Sequence, residues 1–111
     1  MEVITMKKND FGKRLAWLRI CLRNSSARNM SLSIGQNAGY INNIENGRNL
    51  PSMNIFYNIC DFLDITPAEF FDERVLDPHL QNQIYSCLFF LDYAELEFLA
   101  CFLDEIVKKR R

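Results

Sequence analysis

The sequence predicts an all-α protein, and three observations of composition and pattern support this fold class. Hydrophobic residues make up 49% of the 111 residues, which is enough to form a core. Only four Gly and three Pro occur, as is typical of helical proteins. Alternating runs of β-branched residues, which would indicate strands, are almost absent. A chain of this length is expected to form one domain, with room for a short appendage.

The first predicted helix runs from about Asp10 to Arg23. Apolar residues repeat along it at helical spacing and form one stripe: Phe11, Leu15, Leu18 and Leu22. This stripe is expected to face the core.

Two short helices around a tight turn are predicted between Ser26 and Pro51. Ser26 is a favourable N-cap, because its hydroxyl can accept a hydrogen bond from a free amide at the helix start. Met30 and Ile34 lie four residues apart on one face of the helix that follows. Gly35 tolerates the left-handed conformation that ends a helix, so the chain can turn there.

The second helix of this pair is predicted from Ala38 to Glu45, with Asn37 as its cap. Ile41 and Ile44 are expected to be its buried residues. Gly47 marks its end, since glycine is favoured just past the last helical residue.

A fourth helix is predicted from about Ser52 to Leu63, and a short fifth helix follows it. The residues expected to face inward on the fourth helix are Ile55, Phe56, Ile59, Cys60 and Leu63. Thr66-Pro67-Ala68-Glu69 has the pattern of a capping box with proline at the first helical position. Phe70 and Phe71 are expected to close the core.

Two amphipathic helices are predicted after Arg74. Asp77 and Pro78 begin the first, which leads to about Phe90. A second capping box at 92–95 begins a helix that continues to about Lys109. Its apolar residues at helical spacing are Leu96, Leu99, Phe102, Leu103 and Ile106, and Phe98 and Cys101 widen the stripe.

From Phe11 to Asp72, the sequence resembles the lambda-repressor/Cro-like family of helix-turn-helix regulators, also called the XRE family. The residues that carry the resemblance are Arg14, Leu15, Leu18, Arg19, Ser26, Met30, Gly35, Tyr40, Ile41, Ile44, Glu45, Asn46, Gly47, Pro51, Ile59, Leu63, Phe70 and Phe71. It implies a five-helix lambda-repressor-like DNA-binding domain at 8–73. The C-terminal helical extension at 74–111 lies beyond the resemblance and is predicted from the residues alone. The chain departs from the family by one extra residue between Arg19 and Ser26.

The resemblance also implies how DNA would be read, with the 38–45 helix in the major groove. Base contacts are expected from Asn37, Ala38, Gly39, Asn42 and Asn43. Asn42 and Asn43 come first, because an asparagine can bond adenine bidentately. Ala38 and Gly39 are shorter than the polar residues of many relatives, so modest sequence discrimination with some shape readout is expected.

Phosphate contacts are expected from the start of the second helix and from the loop after the third. The candidates are Ser26, Arg28, Tyr40, Asn46 and Arg48. Tyr40 has two interpretations, as a core residue or as a phosphate contact. Glu45 is expected to be structural and to pair with an arginine of the first helix, most plausibly Arg19.

The C-terminal extension has more apolar surface than a lone helix can hide. It can pack back on its own domain, against Trp17, or form a two-fold homodimer interface. Dimerisation is favoured, because a DNA reader of this size gains affinity and specificity from two half-sites. The expected interface residues are Leu96, Leu99, Phe102, Leu103 and Ile106.

The charge distribution favours double-stranded DNA as the partner, although the net charge is only −1. Residues 1–51 carry eight basic and three acidic side chains, whereas residues 52–111 carry five and eleven. The first half therefore has a net charge of +5 and the second half −6. A basic half can meet phosphate while the acidic half faces away.

No enzyme, cofactor or metal site is predicted. The lone His79 has no evident nucleophile or ligand partner and is expected at the surface. Cys21, Cys60, Cys87 and Cys101 are widely spaced, with no zinc-type pattern, and buried reduced thiols are expected. The start MEVITMKK is no signal peptide, and no apolar stretch is long enough for a membrane span.

The rival interpretation is a protein-interaction module, such as an antitoxin or adaptor, whose C-terminal helices bind a different protein partner. Both interpretations predict a cytoplasmic protein without membrane contact and without a small-molecule ligand.

Overall fold

The computed structural model describes residues 8–110, and within them it contains helices and no strand. In chain order the helices are α1 Lys8–Leu18, a π-helical segment Arg19–Arg23, α2 Ala27–Ser33, α3 Tyr40–Glu45, α4 Met53–Leu63, α5 Pro67–Phe71, α6 Pro78–Leu88 and α7 Tyr93–Lys108. The predicted all-α class is therefore confirmed. None of the described helices is long and apolar enough to cross a membrane.

The first predicted helix is present, but its last part is π-helical. Its α-helical geometry ends at Leu18, and the π-helical segment ends at Arg23. Asn24, which follows, adopts a left-handed conformation with φ 45°. A π-helix places more residues in each turn than an α-helix does. Leu22 within this segment still packs against the core, as the apolar stripe predicts, and the extra residue expected between Arg19 and Ser26 stays a prediction.

The helix-turn-helix segment begins as predicted, but its second helix begins later. Ser26 caps α2, and its Oγ accepts a hydrogen bond from the Asn29 amide at 3.0 Å. Gly35 has the predicted left-handed backbone, with φ 78°. The helix expected from Ala38 begins instead at Tyr40, because the Asn37 carboxamide closes a tight turn by accepting from the Gly39 amide at 3.2 Å.

A single apolar core joins the first five helices. Its buried residues are Phe11, Leu15, Leu18, Met30, Ile41, Ile44, Phe56, Ile59, Cys60, Leu63, Ile65 and Phe70. Phe70 stacks between two other rings, with centroids 4.8 Å from Phe11 and 5.1 Å from Phe56. The prediction that Phe71 closes the core is wrong in part, because its ring is 50% exposed. The Phe71 ring lies at the edge of the core, with its centroid 5.3 Å from those of Phe56 and Phe70, while Phe70 is fully buried.

Arg14 is buried and fastens the chain after α5 to α1. Its guanidinium donates to the carbonyl oxygens of Glu69, Phe70, Asp72 and Val75 at 2.6–2.9 Å. Burial lowers the pKa of Arg14, but four carbonyl acceptors compensate its charge.

The segment after α5 makes further contacts within the same unit. The Trp17 indole N–H donates to the Leu76 carbonyl at 2.7 Å, and the His79 ring lies 2.8 Å from the Asp64 carbonyl while remaining exposed, as predicted for His79. By its contacts the chain divides into two compact units between His79 and Leu80. The domain limits predicted at 73 and 74 stay a prediction.

The second unit contains most of α6 and all of α7. Asp92 and Glu95 form the predicted capping box, since each side chain accepts from the other residue's amide. No residue from Leu80 to Arg110 is buried. This unit therefore has no core of its own within one chain.

The prediction of four buried cysteines is correct only for Cys60. Burial raises the pKa of its thiol to about 11. Cys21, Cys87 and Cys101 are exposed, although none forms a disulfide. Cys21 lies on the outer side of the π-helical segment, and its thiol donates to the Asp77 carboxylate at 3.5 Å. Cys87 and Cys101 lie in the second unit, in which no residue from Leu80 to Arg110 is buried.

Candidate nucleic-acid interface

Ser31 joins the two helices of the helix-turn-helix segment and was missed by the sequence analysis. Its side chain is fully buried. The hydroxyl donates to the Ala27 carbonyl at 2.7 Å and accepts from the Ile41 amide at 2.9 Å. The Ile41 amide is one of the first amides of α3, which have no acceptor within their own helix. Ser31 therefore fixes the start of α3 against α2.

Arg19 and Glu45 form the predicted ion pair and fix the other end of α3. The guanidinium donates to both carboxylate oxygens, at 2.8 and 2.9 Å, and also to the Ser25 carbonyl at 2.6 Å. Both side chains are almost buried, which strengthens the pair relative to a surface pair. The hydrogen bond that Arg19 donates to Glu45 raises the pKa of Arg19. The contact connects α3 with the π-helical segment and with the cap of α2.

Gly12 allows α1 to approach the end of α3 closely. A Cβ atom at this position would lie 2.5 Å from the Ile44 carbonyl oxygen and 2.7 Å from the Glu45 carbonyl oxygen. Both distances are far shorter than a van der Waals contact, so only glycine fits here. A glycine inside a helix lowers helix stability by about 1 kcal/mol relative to alanine. Its presence in a predicted helix therefore indicates a packing role, and the sequence analysis could have used this indication.

The predicted base-contact residues lie on and before α3, opposite its buried face. Ile41 and Ile44 are fully buried, whereas Asn42 is exposed. Asn37 and Gly39 are exposed in the turn before the helix, and Ala38, Asn43 and Tyr40 are partly exposed. The sequence-predicted set therefore includes the outward surface of α3 and its preceding turn.

Asn43 and Arg48 contact each other, which the sequence did not predict. The Arg48 guanidinium donates to the Asn43 side-chain oxygen at 3.0 Å. The same arginine's amide donates to the Asn43 carbonyl at 2.9 Å, and Gly47 between them has φ 76°. A residue predicted to read bases is thus linked to one predicted to hold phosphate.

Of the predicted phosphate-contact residues, two lie at the start of α2 and two directly after α3, and Tyr40 is the first residue of α3. Ser26, Arg28, Asn46 and Arg48 are exposed. Neither α2 nor α3 has an acidic residue in its first turn. An anion at the positive end of α2 would meet no competing carboxylate from that turn. Tyr40 packs partly against the core, and burial raises the pKa of its hydroxyl.

Comparison with known proteins gives one match. A family model described as helix-turn-helix matches residues 15–70, just over half of the chain. No curated protein and no solved structure matches the sequence. The matched range begins in α1, ends in α5 and contains Arg19, Ser31 and Glu45, whereas Gly12 lies just before it. The chain therefore belongs to the lambda-repressor/Cro-like, or XRE, family of DNA-binding helix-turn-helix regulators.

Proposed function

We propose that the protein is a sequence-specific repressor that binds a palindromic DNA site as a homodimer and reads the major groove with α3. The observation that carries this proposal is the position of α3. One face is buried through Ile41 and Ile44, and both ends are fixed by Ser31 and by the Arg19–Glu45 pair. The opposite face is left free to enter a groove.

Base reading is assigned first to Asn42, because its side chain is exposed on the outward face of α3. A bidentate asparagine–adenine contact contributes roughly 1–3 kcal/mol of discrimination. The Asn43 side-chain oxygen accepts from Arg48, so Asn43 contacts a base only through its side-chain NH₂ group. Asn37 contacts a base from the turn before α3. Ala38 and Gly39 offer a methyl group and a close backbone approach.

Phosphate contacts are assigned to Arg28 at the start of α2 and to Arg48 after α3. Ser26 and Asn46 lie beside them in sequence and can donate hydrogen bonds to phosphate oxygen. Tyr40 can present its hydroxyl while its ring stays against the core. Such contacts set the register on the duplex and carry little sequence information.

The homodimer interface is assigned to the second unit, called the C-terminal unit below, which begins at Leu80. In a single chain Leu96, Phe102, Leu103 and Ile106 are all more than one third exposed, and Leu99 is partly exposed. Contiguous apolar surface of this kind is typical of a protein interface. A two-fold dimer carries two copies of α3, and dimeric helix-turn-helix proteins typically bind two half-sites about one helical turn apart.

Selection of bound sequences from a randomised duplex pool, at near-physiological salt, tests the proposed function. Enrichment of a two-fold palindrome with half-sites about one helical turn apart is the expected result. Binding without enrichment, lost on a modest rise in salt, would reject sequence-specific regulation.

A second candidate function is a protein-interaction module, such as an antitoxin or adaptor. It is favoured by Phe89 and Phe90, which are 73% and 88% exposed directly after α6. Neither residue belongs to the α7 stripe assigned to the homodimer. A protein that selects no DNA sequence and stays monomeric at micromolar concentration would favour this function.

A further inference from the structure

The exposed side of α7 carries a line of three residues spaced by seven. Glu95, Phe102 and Lys109 recur at this interval and so lie along one side of the helix. Lys109 follows the last helical residue but keeps a helical backbone conformation, so the line continues to it. Phe102 is 56% exposed and lies at the centre, with an acid at one end and a base at the other.

The charges at the two ends of α7 are opposite in sign. Asp92, Glu95 and Glu97 occupy its beginning, where no base occurs. The sequence KKRR ends the chain, and of these residues Lys108 pairs with Asp104 at 3.0 Å. Two such helices attract each other when they run in opposite directions and repel at both ends when they run in the same direction.

The C-terminal unit also lacks a core within one chain, since no residue from Leu80 to Arg110 is buried. Units shorter than about 40 residues usually need a disulfide, a metal or oligomerisation to be stable. The unit's two cysteines, Cys87 and Cys101, are free. A second copy of the same unit supplies both the missing apolar cover and the complementary charge.

We infer that two copies of α7 pack antiparallel across a two-fold axis at Phe102, with Glu95 of each protomer facing Lys109 of the other. The two Phe102 rings meet at the axis. Phe98, which is 76% exposed and lies four residues before Phe102, then faces the Ile106 region of the other copy. This inference rests on the proposed homodimer and specifies its direction and its charged contacts.

The test uses full-length protein and charge reversal along the line. The two-fold axis gives two contacts between positions 95 and 109. Either Glu95→Lys or Lys109→Glu alone brings like charges together at both contacts. Each is expected to raise the dimer dissociation constant roughly tenfold. The double variant Glu95→Lys/Lys109→Glu restores opposite charges at both contacts, and its dissociation constant is expected to return to within about threefold of the original.

Matched control variants distinguish the effect of charges on this line from the effect of charges elsewhere on α7. Glu97→Lys and Arg110→Glu change the same charges on residues that lie off the line, and they are expected to leave dimerisation almost unchanged. The double variant also lacks the Glu95 side chain that accepts from the Asp92 amide. If its dimer dissociation constant returns toward the original value, the effect of Glu95→Lys is not due to a loss of helix.

Mixing distinguishes the direction of the helices. In the antiparallel arrangement the double variant meets like charges when it pairs with the original protein, so native mass spectrometry should show two homodimers and few heterodimers. Preferential heterodimers would indicate parallel helices and overturn the inference while the homodimer stands. If Glu95→Lys and Lys109→Glu change the dimer dissociation constant no more than the control variants do, the inference is also overturned. A monomer at all concentrations would reject both the inference and the proposed homodimer.

Discussion

Replacing Ser31 by alanine removes one oxygen atom from the helix-turn-helix segment and leaves a buried amide without an acceptor. In the structure this oxygen accepts the Ile41 N–H at 2.9 Å, and both residues are fully buried. The Ala27 carbonyl, which Ser31 also bonds, keeps its place in the helical ladder of α2. The loss therefore falls on the Ile41 amide alone.

The magnitude follows from the cost of an unsatisfied buried donor, which is about 1–3 kcal/mol. Alanine has a better helix propensity than serine and returns about 0.5 kcal/mol of this cost. Ser33→Ala on the same helix provides the matched control, because Ser33 is exposed and shares the propensity gain. Ser31→Ala is expected to be about 2 kcal/mol less stable than Ser33→Ala.

The assay is urea denaturation followed by Trp17 fluorescence. Trp17 is the only tryptophan of the chain, and its indole donates to the Leu76 carbonyl in the first unit. Its emission therefore reports unfolding of the unit that contains Ser31. In a thermal scan, 2 kcal/mol corresponds to a decrease in Tm of about 10 °C for a unit of this size. If the two variants agree within about 0.5 kcal/mol, Ser31 does not fasten α3 to α2.

Further predictions concern the other contacts of α3 and its outward face. Replacing Arg19 and Glu45 by alanine singly and together is expected to give a coupling of about 1–3 kcal/mol in urea denaturation, and a value near zero would refute a stabilising pair. Gly12→Ala should cost about 2 kcal/mol or more by the same assay, because the new methyl group meets backbone carbonyls; unchanged stability would show that α1 moves away freely. Asn42→Ala should weaken binding to a selected site roughly tenfold more than binding to random DNA, and equal losses would exclude base reading. Arg48→Ala should weaken binding to both and reduce the salt slope by about one, whereas an unchanged slope would exclude its phosphate contact.

The starts of α2, α5 and α7 were the most predictable part of the fold, whereas Asn37 was wrongly expected to cap α3. Ser26 caps α2 as expected, and Thr66 with Glu69 forms the predicted capping box. Ser52, expected as the first residue of α4, is instead its cap. Each cap depends on residues two or three positions apart, so the signal is contained in the local sequence. The buried face of α4 was predicted for the same reason, since its apolar residues repeat along a single helix.

The contacts that position α3 were less predictable. Ser31 bonds an amide ten residues away, and Gly12 lies against carbonyls more than thirty residues away. Arg14 bonds carbonyls 55 to 61 residues away, and nothing in its own helix indicates a buried charge. Only the Arg19–Glu45 pair was found in advance, and it came from the family resemblance. Periodicity and propensity carry no information about such distant partners.

The length of α3 explains why these contacts concentrate on it. The helix has six residues, and isolated helices shorter than about 12 residues are marginal in water. Its conformation therefore depends on the contacts at its ends, namely Ser31 on the Ile41 amide and Arg19 on the Glu45 carboxylate. Because Gly12 lets α1 lie directly against the carbonyls at its end, the helix axis is fixed as well. The proposed recognition through short residues and groove shape requires such a fixed backbone, since it would tolerate little displacement of the helix.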